Sequence, residues 1–285
     1  MNSEQLALQI KQDAWIMAYR AKSSHMGGNF SLADSIAVLY HDVLNYDVNN
    51  PDWEKRDRLI LSKGHCCAVL YACLAEVGFF NRDELLHFGE NGGILSCHVS
   101  YKVPGVEFSS GSLGHGAPVA VGIALNAKLR NLSYSVYAIC GDGELNEGSI
   151  WEMIMFAGQH KLDNFTLLVD CNRMQAMGDT KDIIDLQPIG EKLRLFNWEA
   201  IDVDGHNHDE LRHAFGVKTY GKPKAVIAHT IKGHGISFME NSLWWHYQVP
   251  FDHYYQEGLN ELDIQAEKKG FSLSSLLPAV QGVQQ

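Results

Sequence analysis

Apolar runs of strand length alternate along this chain with segments of helical pattern, and several of the turns between them are rich in glycine. The strand candidates are DRLILS (57–62), YSVYAIC (134–140), FTLLVD (165–170), 198–203 and KAVIAHT (224–230). Helical patterns cover 4–21, a stretch ending near Leu44, HCCAVLYACLAEVG (65–78), GHGAPVAVGIALNAKLR (114–130), 149–161 and 207–216. Ser3 is placed as the N-cap of the first helix, and Ser31-Leu32-Ala33-Asp34 reads as a capping box opening the second. Near-continuous apolar strands suit a sheet buried on both sides. The alternation therefore predicts an α/β fold, a mainly parallel sheet with helices on both faces. Ligands of such sheets sit at the carboxyl ends of the strands, so function is to be sought just after each one.

The 285 residues suffice for a sizeable core, and the whole chain, 1–285, reads as a single domain. It shows no repeat, low-complexity tract or linker. The tail from about Leu273 is placed as a short helix or a frayed end. A net charge of −11 disfavours nucleic acid and anionic membranes as partners. No stretch approaches the roughly 18 apolar residues of a membrane span, and MNSEQLALQIKQDAW lacks the basic and apolar regions of a secretion signal. Six cysteines, at 66, 67, 73, 97, 140 and 171, form no CxxC pair and read as reduced, mostly buried thiols of a cytoplasmic protein.

The strand ending at Cys140 runs into Gly141-Asp142-Gly143-Glu144. A glycine turn after a strand suits a phosphate, yet this turn carries carboxylates. The dinucleotide fingerprint fails, because Asn146 stands where a third glycine is required. A divalent cation removes the conflict, since carboxylate and phosphate oxygens can both coordinate it. The next strand ends in Cys171-Asn172-Arg173-Met174, which puts an amide oxygen thirty residues after Asp142 and at the same sheet edge. Turn formation explains either residue alone; the pair suggests a metal–diphosphate site.

At this point the sequence resembles the thiamine diphosphate enzymes, and within them the amino-terminal part of a transketolase. The resemblance rests on SSHMGGNFSLAD (23–34), LSKGH (61–65), GSLGHG (111–116), GDGELNEGSIWE (141–152) and DCNRMQ (170–175). DGHNHDEL (204–211) and IKGHGISFMENSLWWHYQVP (231–250) complete the ordered set. It implies thiamine diphosphate as cofactor, with Mg²⁺ (or Ca²⁺ or Mn²⁺ as substitutes) held by Asp142, Asn172 and the carbonyl of Met174. It further implies that Gly143, Asn172, His65 and His246 approach the cofactor, that Gly111 and Leu113 lie along it, and that His25, His65, His98 and His246 are active-site histidines. Glu147 matches a glutamate at an interface between subunits. Three positions depart from the family pattern: the proline usual after His25 is absent, His115 replaces a common glutamine, and Met174 stands where isoleucine is frequent. His229 and His234 receive no role.

The implied reaction moves a two-carbon ketol unit from a ketose to an aldose. The family also uses a glutamate on a second α/β domain that clasps the aminopyrimidine, and no second strand–helix series follows residue 250. The expectation is therefore an amino-terminal subunit of a split transketolase, self-associating as a dimer and flanked by carboxy-terminal partners in an α2β2 layout. Another thiamine diphosphate subunit, of the 2-oxo-acid dehydrogenase α type, and a non-catalytic subunit remain alternatives. The sugar, whether a pentose phosphate, a branched sugar phosphate or a sulfonated sugar, stays open.

Overall fold

The computed structural model describes residues 1–276. Five strands form one sheet: β1 (Arg58–Leu61), β2 (Val136–Gly141), β3 (Phe165–Cys171), β4 (Glu199–Asp204) and β5 (Lys224–His229). They lie in the order β1-β2-β3-β5-β4, every pair parallel. Alternate residues of one strand serve opposite cores. Tyr137 and Ile139 face a layer built from α1 (Ser3–Ala21), α2 (Met26–Val38) and α3 (Cys67–Glu76). Val136, Ala138 and Cys140 face the layer of α4 (Gly116–Leu129) and α5 (Gly148–Gln159). The short α6 (Thr180–Ile183) follows β3, and α7 (Ile189–Leu195) packs on β4 and β5 beside that second layer. On the first side, α8 (His208–Gly216) packs on α2 and α9 (Asp252–Lys268) on α1.

Helix α1 is buried along most of its length because α2, α3 and α9 surround it. Its charged residues survive burial by pairing: Lys11 Nζ lies 3.1 Å from Asp34 Oδ2, and Arg82 Nε lies 3.0 Å from Asp13 Oδ2.

Two helix starts differ from the sequence reading. Asn2, not Ser3, caps α1: its side chain accepts from Gln5 N while the Gln5 side chain accepts from Asn2 N. Helix α2 begins at Met26, so Ser31 and Asp34 lie inside it rather than at its mouth. Both hydroxyl and carboxylate are used for tertiary contacts, Ser31 Oγ donating to Asp170 Oδ2 at 2.6 Å. The pattern 65–78 resolves into a tight turn (Gly64–Cys66) and then α3, and the stretch to Leu44 ends in a wider turn, Leu39–Val43. Five of the six free cysteines are buried, and Cys97 is exposed. In the tail, Ser274 N donates to Gln9 Oε1 at 2.9 Å; the rest of the expectation for that segment, from 277 on, falls outside the described residues.

Gly158 sets the spacing between α5 and the turn into β4. A Cβ there would stand 1.9 Å from the carbonyl oxygen of Phe196. Gly158→Ala is expected to force the two apart and cost about 1–3 kcal/mol, the usual penalty for overpacking. Urea unfolding reads this as a lower midpoint; an unchanged midpoint would contradict the close approach.

Candidate active site

Parallel pairing brings the carboxyl ends of the strands to one edge. Leu61 is in register with Ile139, Gly141 with Asp170, and Cys171 with His229. The residues just beyond therefore converge: Lys63 after β1, Asp142 after β2, Asn172 after β3 and Lys232 after β5. They line a cavity of about 320 Å³.

The turn after β2 is held by its own carboxylate. Asp142 Oδ1 accepts from Gly143 N at 2.9 Å and Oδ2 from Arg173 N at 2.6 Å, so one side chain ties the ends of β2 and β3 together. Burial and the nearby Asp170 push the Asp142 carboxyl up to about 6. The Asn172 amide is oriented by neighbours: Nδ2 donates to Asp170 Oδ2 at 3.2 Å, and Oδ1 accepts from Met174 N at 3.1 Å. Three kinds of oxygen thus gather here, a carboxylate, an amide and the Met174 carbonyl, which itself accepts from Lys232 Nζ at 3.3 Å.

Beneath them lies a buried ion pair between Lys63 and Asp170. Ser31 and Thr230 also donate to Asp170. Burial works against both charges, but mutual attraction outweighs it, so Lys63 is pushed up and Asp170 down from their ordinary values. Lys232, buried and with no ion-pair partner among the described residues, is lowered chiefly by burial.

Histidines form another part of the wall. His25 lies 5.2 Å from both His65 and His246 between ring centres, and 6.1 Å from His98. His25 caps α2 with a left-handed backbone (φ 69°), rare for a side chain of this size. Its N–H donates to the His246 carbonyl at 3.0 Å, which docks the segment after β5 onto the start of α2. Lys232 Nζ stands 3.2 Å from His246 Nδ1; an ammonium can only donate, so Nδ1 accepts and Nε2 carries the proton. Burial, then the Lys232 charge, bring His246 down to about 4. His25 and His65 are lowered too, burial again first.

The cavity wall thus includes His25, His65, His98, His246, Gly111, Leu113, Asp142, Gly143, Asn172 and Met174. Glu147 does not join them: it is exposed at the start of α5. His115 is exposed and borders a neighbouring hollow with Ser112 and Ser149. Four further residues of the site, Lys63, Lys232, Asp170 and Tyr247, escape the sequence reading. Each lies within one of the family-like motifs, but a lysine beside a Gly-His pair carries no sign of burial.

The chain matches the family model described as "Transketolase, thiamine diphosphate binding domain" over residues 4–248. The chain belongs to the transketolase family. It is 38% identical over 254 residues to an apulose-4-phosphate transketolase subunit of Phocaeicola vulgatus, covering 88% of this chain and 90% of that protein. It is 39% identical over 242 residues to the 6-deoxy-6-sulfo-D-fructose transketolase subunit SqwG of a Clostridium species, covering 84% and 88%. Among solved structures, transketolase from Leishmania mexicana superposes with a TM-score of 0.84 at 29% identity, covering 93% of this chain. This chain spans 41% of that transketolase's length.

The lowered His246 has a consequence for stability. The unfolded chain binds a proton there below the ordinary value of 6.5, whereas the folded transketolase domain resists until about 4. His246 therefore costs nothing above pH 6.5, and its cost grows as pH falls toward 4. His246→Gln is expected to gain stability relative to wild type across that window, read by urea unfolding at a series of pH values. A difference independent of pH would contradict the shift.

Proposed function

We propose that this chain is the diphosphate-binding subunit of a two-component transketolase, transferring a two-carbon ketol unit from a ketose to an aldose with thiamine diphosphate and Mg²⁺. One observation carries the reading: hard oxygen donors, buried lysines and histidines whose basicity is lowered share one cavity at the carboxyl edge of the sheet. The reading treats 1–285 as a single domain and places it in the cytoplasm, in keeping with its free cysteines.

The residues present fit the cofactor's anionic end. Asp142, Asn172 and the Met174 carbonyl offer only oxygens, the donor set Mg²⁺ prefers. One polar atom of the cavity's residues, Gln175 Nε2, is buried with no hydrogen-bond partner among the described residues, and as a donor it suits a wall that meets an anionic ligand. In this reading Asp142, Asn172 and Met174 hold the metal. Gly143 and His65 approach the diphosphate, and Lys63 and Lys232 balance its charge. Gly111 and Leu113 lie along the cofactor. Bound thiamine diphosphate supplies the electron sink that lets the ketol unit leave one sugar and join another.

The protein's part is to place hydroxyls and move protons. His25, His65 and His246 stay neutral at working pH, so each offers one donor and one acceptor nitrogen. His246 presents Nε2–H while Lys232 occupies Nδ1, which equips it to donate a hydrogen bond to a sugar oxygen. His25, between His65 and His246, is the candidate for taking the ketose hydroxyl proton, and exposed His98 stands at the rim.

Two relatives that are themselves named as transketolase subunits align over most of their own length, which supports a separate partner chain supplying the aminopyrimidine-binding domain. Self-association through the start of α5 would put Glu147 at a dimer interface, with exposed Met155 and Phe156 on the same helix as apolar cover, in an α2β2 assembly. The names of the two relatives join a sugar phosphate and a sulfosugar, so the donor proposed here is a ketose with an anionic terminal group.

Ketol transfer from an anionic ketose tests the reading. The assembled pair is expected to turn over and the lone chain is not; robust turnover by the lone chain would refute the two-component assignment. In the pair, His25→Ala is expected to cut turnover by about 10²–10⁴-fold while cofactor affinity holds. Wild-type turnover in that variant would remove His25 from the proton path.

A further inference from the structure

A second cluster of titratable side chains lies on the far side of Lys232. Asp34, on α2, is buried and surrounded by His206, His208, His234 and Lys11. Asp34, His206 and His234 could by geometry hold a metal ion. The hydrogen bonds argue for another use. A cation is already at the centre: Lys11 Nζ lies 3.1 Å from Asp34 Oδ2 and 3.3 Å from His234 Nδ1. Both nitrogens of His206 are also engaged, Nδ1 with Asp34 Oδ2 at 2.9 Å and Nε2 with the backbone N–H of Ile231 at 2.9 Å.

Those two bonds have a fixed sense. A backbone N–H can only donate, so Nε2 of His206 is the bare nitrogen and Nδ1 carries the proton that Asp34 accepts. The neighbouring His234 ring stacks on His206, ring centres 3.5 Å apart. Ile231 and His234 bracket Lys232, whose ammonium reaches both the Met174 carbonyl and His246 Nδ1. Further on, Gly233 N donates to Gly27 O and Asn241 N to Lys232 O, at 2.9 and 2.8 Å. The segment is thus tied to α2 at Gly27 and, through His206, at Asp34.

We infer that His206 is a positioning residue of the cofactor site: braced by Asp34, it clamps the Ile231 amide and so holds Lys232 at the Met174 carbonyl and His246. The link is sequential and geometric. If the Ile231 amide is released, the residue next to it gains freedom, and the ammonium no longer has a single place. The inference rests on the reading of Lys232 as part of the cofactor site.

Two amide variants separate the two hydrogen bonds. In His206→Asn the side-chain amide stands near the place of Nδ1, so it can serve Asp34 but not reach Ile231. In His206→Gln the amide extends to the place of Nε2 and can accept from Ile231. The wild type, both variants and Lys232→Met are to be titrated calorimetrically with thiamine diphosphate and Mg²⁺, each assembled with the partner subunit. His206→Asn is expected to bind about tenfold more weakly, the weight of one hydrogen bond. His206→Gln is expected to stay near wild type. The reverse order, or equal affinity in both, overturns the clamp. Unchanged binding in Lys232→Met instead overturns the reading of Lys232 on which it rests. A measurement on the unmutated chain does not depend on the variants folding: ¹⁵N NMR of labelled histidine should show His206 as the Nδ1–H tautomer, and an Nε2–H tautomer would overturn the inference.

Discussion

The parallel register of β2 and β3 is the constraint on which the site depends. Because Gly141 pairs with Asp170, Asp142, one residue past Gly141, and Asn172, two residues past Asp170, leave the sheet close together. Asp142 then closes the gap, accepting from its own turn and from Arg173 across it. A slip by one residue would turn every side chain of a strand to the other face. Here that would set the apolar faces of β3 against the wrong cores and carry Asn172 away from Asp142. Burial on both sides therefore fixes the chemistry as well as the fold.

A buried ion pair supplies the second condition. Lys63 and Asp170 sit under the oxygen donors, and removing one partner of such a pair typically costs about 3–5 kcal/mol because the other is left uncompensated. The pair also orients: Asp170 receives the amide protons of Asn172, so the amide oxygen must face elsewhere. Ser31 of α2 and Thr230 after β5 donate to the same carboxylate, which binds the elements carrying His25 and Lys232 to the end of β3. Three parts of the cavity wall are thus fixed by one side chain. Buried Asp34 does the same on the other side of the Lys232 segment.

The strands and the Asp142–Asn172 pair are legible in the sequence because both follow local rules, apolar runs of the right length and turn residues at strand ends. The gathering of the histidines is not legible from local pattern. His25, His65 and His246 come from the start of α2, the turn after β1 and the segment after β5, and only the family resemblance names them from sequence. Ser31 and Asp34 mislead for a related reason. Their spacing imitates a capping box, but the true start of α2 is at Met26, where His25 takes a left-handed backbone that sequence pattern does not announce. Lys63 and Lys232 give no local signal, because lysine is rarely buried; only the partners at hand, Asp170 for one and the Met174 carbonyl with His246 for the other, reveal why these are. Asp170 looks in sequence like the last residue of a strand, and its role comes from contacts 60 to 139 residues away.

The central claim is that the carboxyl edge of this sheet holds an anionic diphosphate through a divalent cation, with Asp142 as a ligand. Calorimetric titration of thiamine diphosphate into the assembled enzyme, with Mg²⁺ and then with a chelator in its place, tests it most directly, repeated for Asp142→Asn. The account predicts tight binding by wild type only when Mg²⁺ is present, and little gain from Mg²⁺ in the variant. Equal affinity with and without the cation, or a full Mg²⁺ response in Asp142→Asn, would contradict it.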